Sequence, residues 1–269
     1  MPACRLLAVD IDFTLVDDER KVPPENAEAL RRAREAGIEV ALASGRIVSS
    51  LHLYCDEIGW PMPLIACNGA YVLDADGQVL ADHRLDSEVV EAVVSECESR
   101  GFHVNVYAGD RLSFAERTPM AEKYLQRARR SYYEVLPWPE LRTQRANKLI
   151  VVDEPQRLET LRGWLVEELP KDKAIVTYSE PEYLEVLCPD CSKATGLAAL
   201  AKRMGIERQA TAAIGDYYND VEMLAWAGFS AAVENAVPEA KAVADCVVPS
   251  YRELGVARFV EMLLKNVGK

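Results

Sequence analysis

The sequence predicts an α/β protein: a doubly wound, Rossmann-like parallel sheet with an α+β domain inserted into it. Three observations carry that expectation. Unbroken apolar runs such as Leu6-Leu7-Ala8-Val9 read as strands buried on both faces, as in a parallel sheet covered by helices. At both ends of the chain such runs alternate with helical patterns in β-α-β order. Between about residues 85 and 188 the style changes to strand pairs with helices. The expected organisation is a core of residues 1–84 and 189–269 and an inserted domain of residues 85–188.

The first strand ends in Asp10-Ile11-Asp12. Pro23-Pro24-Glu25 then opens a helix through Ala27, Leu30 and Ala33, closed by Gly37. Ile38 to Ala43 is a second strand, running into Ser44-Gly45-Arg46, and a helix continues to about Ile58. Leu64 to Cys67 is a third strand, ending in Asn68-Gly69-Ala70, and 71–80 reads as a hairpin split by Asp74-Ala75-Asp76-Gly77. The middle begins with a helix from Ser87 to Arg100, stopped by Gly101. Strands follow at 102–106 and 111–114, then a helix at 119–130 and weaker structure around Pro137-Trp138-Pro139. A strand at 148–152, a helix at 156–169 and a hairpin of 174–178 with 183–187 complete the insertion. The first style returns with a helix opened by Ser192-Lys193-Ala194-Thr195. Strands follow at 211–214, 229–233 and 246–248, with a closing helix at 256–264.

The net charge of -12 argues against a nucleic-acid partner, since a phosphate backbone demands a basic footprint. It leaves room for small phosphorylated molecules, whose charge a metal and one or two cations can meet locally. Seven cysteines, several inside apolar runs, suit a reducing cytoplasm. Cys188-Pro-Asp-Cys191 is a lone CxxC without a second pair, so a zinc site is not expected. No apolar run approaches a membrane span or a signal peptide.

The polar residues that directly follow the apolar strands are the informative ones. They are Asp10 and Asp12, Ser44, Asn68, Asp216 with Asn219 and Asp220, and Asn235. Each alone is an ordinary turn residue. If the strands are parallel neighbours, all of them meet at one edge of the sheet, where ligands of such folds bind. The paired carboxylates can hold a hard divalent cation, or divide into a nucleophile and a general acid/base. Like charges in a crevice take up protons unless something positive sits among them. Mg²⁺ suits the set, because it takes a few carboxylate oxygens plus water and substrate phosphate. Ser44, the Gly45 amide and Lys193 are candidates for the remaining phosphate oxygens. Lys193 at the start of a helix is otherwise electrostatically misplaced.

With these residues in place, the chain resembles the haloacid dehalogenase superfamily, and within it the Cof-type phosphatases with a large C2-type cap. Asp10-Ile11-Asp12-Phe13-Thr14 matches the first motif, Ser44-Gly45-Arg46 the second and Lys193 the third. Gly215-Asp216-Tyr217-Tyr218-Asn219-Asp220 matches the fourth. Asn68-Gly69-Ala70 and Asn235-Ala236, with Pro238 and Lys241, resemble accessory motifs. The resemblance implies a phosphatase acting through an aspartyl-phosphate. Asp10 would be the nucleophile and Asp12 the general acid/base, with Lys193 completing the catalytic set. Mg²⁺ would be held by Asp10, the main-chain carbonyl of Asp12, and Asp216. Ser44, Gly45, Lys193 and Asn219 would bind the phosphoryl group, with Thr14, Asn68, Asp220 and Asn235 in support. The implied substrates are small phosphorylated metabolites, sugar phosphates first among them.

Three departures stand out. Phe13 occupies a position where the subfamily usually has Gly. Its ring either packs beside the 71–80 hairpin or projects towards the cap and narrows the space for the leaving group. Asp190-Cys191 replaces a small apolar pair before Ser192-Lys193, and Arg252 to Val256 lacks an acidic residue usual before the Gly-Val. A phosphomutase shares the same motifs, and a phosphometabolite-binding module without turnover is a second alternative. A dehalogenase has no use for Asp12 and Asp216 in these roles, and no distinctive Schiff-base lysine marks a phosphonatase. His103, Asn105, Trp138, Arg145, Tyr178 and Glu182 are candidate pocket residues of the insertion.

Overall fold

The computed structural model describes residues 4–128 and 133–267. The chain opens with β1 (Leu6–Asp10), α1 (Pro24–Glu35), β2 (Glu39–Ala43), α2 (Val48–Ile58), β3 (Leu64–Ala66), β4 (Tyr71–Leu73) and β5 (Val79–Asp82). The middle contains α3 (Ser87–Arg100), β6 (His103–Ala108), β7 (Arg111–Phe114), α4 (Pro119–Ala128), β8 (Tyr133–Val135) and α5 (Trp138–Leu141). It continues with β9 (Lys148–Val152), α6 (Pro155–Glu168), β10 (Ile175–Glu180) and β11 (Tyr183–Leu187). The last part holds α7 (Lys193–Arg203), β12 (Thr211–Gly215), α8 (Val221–Trp226), β13 (Phe229–Val233), α9 (Pro238–Val243), β14 (Cys246–Val248) and α10 (Gly255–Val267). Positions 129 and 130 of the predicted fourth helix lie outside the described residues.

The chain divides into two compact units. The first comprises Met1–Gly45, Leu51–Ala81 and Ser192–Lys269; the second comprises Arg46–Ser50 and Asp82–Cys191. The sheet centred on the first unit has the order β14-β13-β12-β1-β2-β3-β4-β5. From β14 to β3 the strands are parallel, and β4 turns back antiparallel on β3. Every residue of β1 is buried, which is why its sequence shows no alternation. Helix α1 packs on α10, and α7 on α8. Register brings the strand ends level: Asp10 lies opposite Ala43, and Val9 opposite Ile214.

The second unit is built on a sheet of order β10-β11-β9-β6-β7-β8, antiparallel except for the β7–β8 pair. Residues of α3, α5 and α6 cover one face, packing Val90, Val94, Leu141 and Leu161 against Val104, Leu149 and Val186. The partly buried Trp138 and Tyr178 pack against this core. Strand β8 and helix α5 were not legible individually, because three- and four-residue elements carry no periodicity.

Alternate residues of the same strands hold a buried polar set. Lys148 Nζ donates to Glu185 Oε1 at 2.6 Å, both side chains being almost fully buried. His103 Nε2 lies 3.1 Å from Asn105 Oδ1, and the hydroxyls of Tyr107 and Tyr124 are hydrogen-bonded. Removing one member of a buried ion pair leaves the other charged in a low-dielectric site. Lys148→Met is therefore expected to destabilise the protein by about 3–5 kcal/mol, and adding Glu185→Leu to restore most of the loss. Denaturant unfolding of the single and double variants checks this; equal losses in both would show that packing, not charge, decides.

All seven cysteines are free thiols. No helix among the described residues is long and apolar enough to cross a membrane.

Candidate active site

The site is built at the carboxyl ends of the parallel strands, all from the first unit. Asp10 ends β1 and is buried. Lys193 is the first residue of α7, and its side chain is only 1% exposed. Its Nζ donates to Asp10 Oδ1 and to Asp220 Oδ1, both at 2.6 Å. The helix start is fixed by a capping box: Thr195 N donates to Ser192 Oγ, and Ser192 N to Thr195 Oγ1. A lysine at this helix terminus is thus offset by two buried carboxylates.

The loop after β12 supplies the other acids. Asp220 Oδ2 accepts from the backbone N–H groups of Asp216 and Tyr217, at 3.0 and 3.1 Å. Both Asp220 oxygens are therefore engaged. Gly215 is required there, since a Cβ would lie 2.5 Å from Asp220 Cγ. Ligand oxygens of Asp10, Asp216 and Asp220 all lie within 4.8 Å of one another. Asp10 Oδ2 is buried and has no hydrogen-bond partner. Burial first, then the Asp220 carboxylate, push Asp10 up to about 7 against the pull of Lys193. Burial, with Asp10 and Asp220, pushes Asp216 up to about 9. Burial alone would lower Lys193, but the two carboxylates outweigh it and raise it.

The remaining predicted residues brace this centre or border it. Ser44 is buried; its N–H donates to Ile65 O and its carbonyl accepts from Asn68 N. Asn68 (φ 56°) accepts through Oδ1 from Asn219 Nδ2 at 3.0 Å, tying the β3 and β12 loops together. Gly69 follows at φ 91°, and a Cβ there would lie 2.0 Å from the Ser192 carbonyl oxygen. That close approach seats the residue preceding Lys193. Thr14 is fully buried in the turn whose N–H groups close on Ile11 O. Asp12 is partly exposed and pairs with Arg20 at 3.8 Å. Arg20 was not singled out by sequence; one arginine in a charged loop carries no spacing signal.

Asn235 donates through Nδ2 to Phe13 O at 2.9 Å and accepts from Tyr251 N at 3.2 Å. Phe13 itself sits in the left-handed region (φ 59°), with its ring 48% exposed. The ring meets Tyr251 edge-on at 5.8 Å. Packing as a buried residue beside the 71–80 hairpin is thereby overturned: the pinned backbone turns the ring outwards. Gly45 follows Ser44 beyond β2, and Lys241 lies in the last turn of α9.

A parallel sheet whose strand ends converge on a lysine-bridged group of buried aspartates defines an enzyme core for charged substrates. The family profile of haloacid dehalogenase-like hydrolases matches residues 7–260, and the chain belongs to that family. It is a phosphatase. The phosphatase YwpJ of Bacillus subtilis is 28% identical, over 97% of this chain and 100% of the relative. The 5-amino-6-(5-phospho-D-ribitylamino)uracil phosphatase YwtE of the same organism is also 28% identical, over 97% and 99%. A crystal structure of a haloacid dehalogenase-like hydrolase from Bacteroides thetaiotaomicron aligns with a TM-score of 0.89 at 26% identity, covering 97% of this chain and 99% of that one.

Proposed function

We propose that the protein hydrolyses small phosphorylated metabolites in two displacements on Asp10. The observation that carries this reading is the buried Asp10 carboxylate, held at Oδ1 by Lys193 and open at Oδ2. In the first step a bond forms between an Asp10 oxygen and phosphorus as the ester P–O bond breaks. Asp12 gives its proton to the departing alkoxide. In the second step water attacks phosphorus, Asp12 takes its proton, and inorganic phosphate leaves a regenerated Asp10. Lys193, Ser44, the Gly45 amide and Asn219 bind the phosphoryl oxygens, and Asp220 holds Lys193 in place.

The donor set fits Mg²⁺. A buried carboxylate oxygen without a partner, and two acids pushed towards protonation, mark a place short of positive charge. Asp10, Asp216 and the Asp12 carbonyl would hold the ion, because Asp220 has both oxygens committed. When bound, the ion neutralises charge on the transferring phosphoryl group. Excess chelator is expected to abolish phosphate release and Mg²⁺ to restore it, with Ca²⁺ a poor substitute because its larger shell displaces the reacting groups. Full activity after rigorous chelation would remove the metal from this account.

Sugar phosphates meet the description, as does a phosphorylated ribityl chain carrying a uracil, the compound named for one relative. In this reading the inserted unit, residues 85–188, supplies discrimination among esters. The deciding experiment incubates the protein with a panel of phosphorylated metabolites and follows both free phosphate and isomerised ester. Free phosphate supports the hydrolase. Isomerised ester without free phosphate would make it a mutase, and binding without turnover would make it a binding module.

A further inference from the structure

Phe13 is a residue whose backbone and side chain are both unfavourable by ordinary criteria. A left-handed φ of 59° suits Gly or Asn and strains an aromatic residue. Such strain is usually repaid by burying the ring, yet this ring is half exposed. The position is nonetheless firmly built. Asn235 fixes the Phe13 carbonyl and, through its own Oδ1, the Tyr251 N–H. Tyr251 in turn is held by its hydroxyl donating to Asp18 Oδ1 at 2.5 Å, with Arg252 over its ring. An edge-on contact with a fixed Tyr251 orients the Phe13 ring and leaves it accessible. Asp12, which handles the leaving group's proton, is its immediate chain neighbour. Two further exposed aromatic residues, Tyr217 and Tyr218, follow Asp216 with ring centroids 4.9 Å apart.

We infer that Phe13 is a specificity residue: its oriented, open ring stacks on a planar aromatic or heteroaromatic part of the phosphate ester, with Tyr217 and Tyr218 extending the aromatic rim. This rests on the hydrolytic reading above and narrows its substrates to esters that carry a flat ring. An aliphatic ring of equal size would fill the same space but gain no stacking.

Benzyl phosphate and cyclohexylmethyl phosphate make the comparison, being primary esters of similar bulk that differ in planarity. The parent protein is expected to favour the benzyl ester in kcat/KM by about tenfold, the order an aromatic pair confers. In Phe13→Leu, which keeps apolar bulk, the ratio should fall to about one, whereas Phe13→Tyr should retain it. Phe13→Asn, suited to the left-handed turn, should lose the ratio while its Tm falls by no more than about 2 °C. A ratio near one in the parent, or an unchanged ratio in Phe13→Leu, overturns the inference. So does a drop of many degrees in Tm for Phe13→Asn with both esters failing together, since Phe13 would then be a packing residue. Release of phosphate from no monoester of any kind would overturn the hydrolytic reading itself; release from other esters but neither of these two overturns only the aromatic rim.

Discussion

Asp10→Asn is expected to lower phosphate release by on the order of 10⁴-fold or more, the scale of removing an enzyme nucleophile. The fold should survive, for a reason visible in the site. Asn retains an oxygen that can accept from Lys193 as Asp10 Oδ1 does at 2.6 Å. It also removes one of three buried carboxylates that crowd within 4.8 Å. In metal-free buffer the variant should therefore melt at or above the parent's temperature, as expected where function holds like charges together at a cost in stability. Phosphate release and thermal unfolding, measured on the same preparation, separate the two effects. Activity retained within a factor of ten would exclude Asp10 as nucleophile, and a large fall in Tm would mean that Asp10 is chiefly structural.

Much of this site could be read from the sequence because parallel, doubly covered strands leave an unmistakable trace. Leu6 to Val9 and Ala212 to Ile214 are apolar without interruption, so the first polar residue after each run marks a strand end. Once the strands are neighbours, Asp10 and Asp216 must be close. The cross-loop braces were illegible for the opposite reason. Asn219 meets Asn68 across 151 residues, and Asn235 meets Phe13 across 222. Nothing local in either sequence stretch specifies the partner. The hairpin at 71–80 was legible through its Gly-containing turn, but the antiparallel return of β4 on β3 was not, since register is set by the sheet rather than the turn. Helix α9 escaped notice because six residues after Pro238 are too few to show a period. The outward turn of Phe13 depended on a backbone angle that no side-chain pattern encodes.

Lys193→Met carries the second large effect, and it should appear in stability as well as in turnover. The ammonium donates to Asp10 and Asp220 at 2.6 Å each, from a side chain 1% exposed. Methionine has similar length but leaves Asp10, Asp216 and Asp220 together without their cation. Breaking a buried charge pair in this way costs about 3–5 kcal/mol near neutral pH, and losing a positive donor to the transferring phosphoryl group costs a further 10²–10³-fold in rate on the order found for such donors. The pH dependence follows from the direction of the shifts. Asp10 and Asp216 already stand at about 7 and about 9, above their ordinary value of 3.8, and losing Lys193 moves them higher still. An acid raised in the folded state binds protons that the unfolded chain has released, so stability is greatest below about pH 4 and declines as the pH rises towards the folded value. In chelator-treated buffer the variant should consequently lie close to the parent at pH 5 and well below it at pH 8. Adding Mg²⁺ at pH 8 should recover part of the deficit by returning positive charge to the carboxylates. Denaturant unfolding at the two pH values measures it; an equal deficit at both would mean that Lys193 holds the site by packing rather than as the counter-charge to its aspartates.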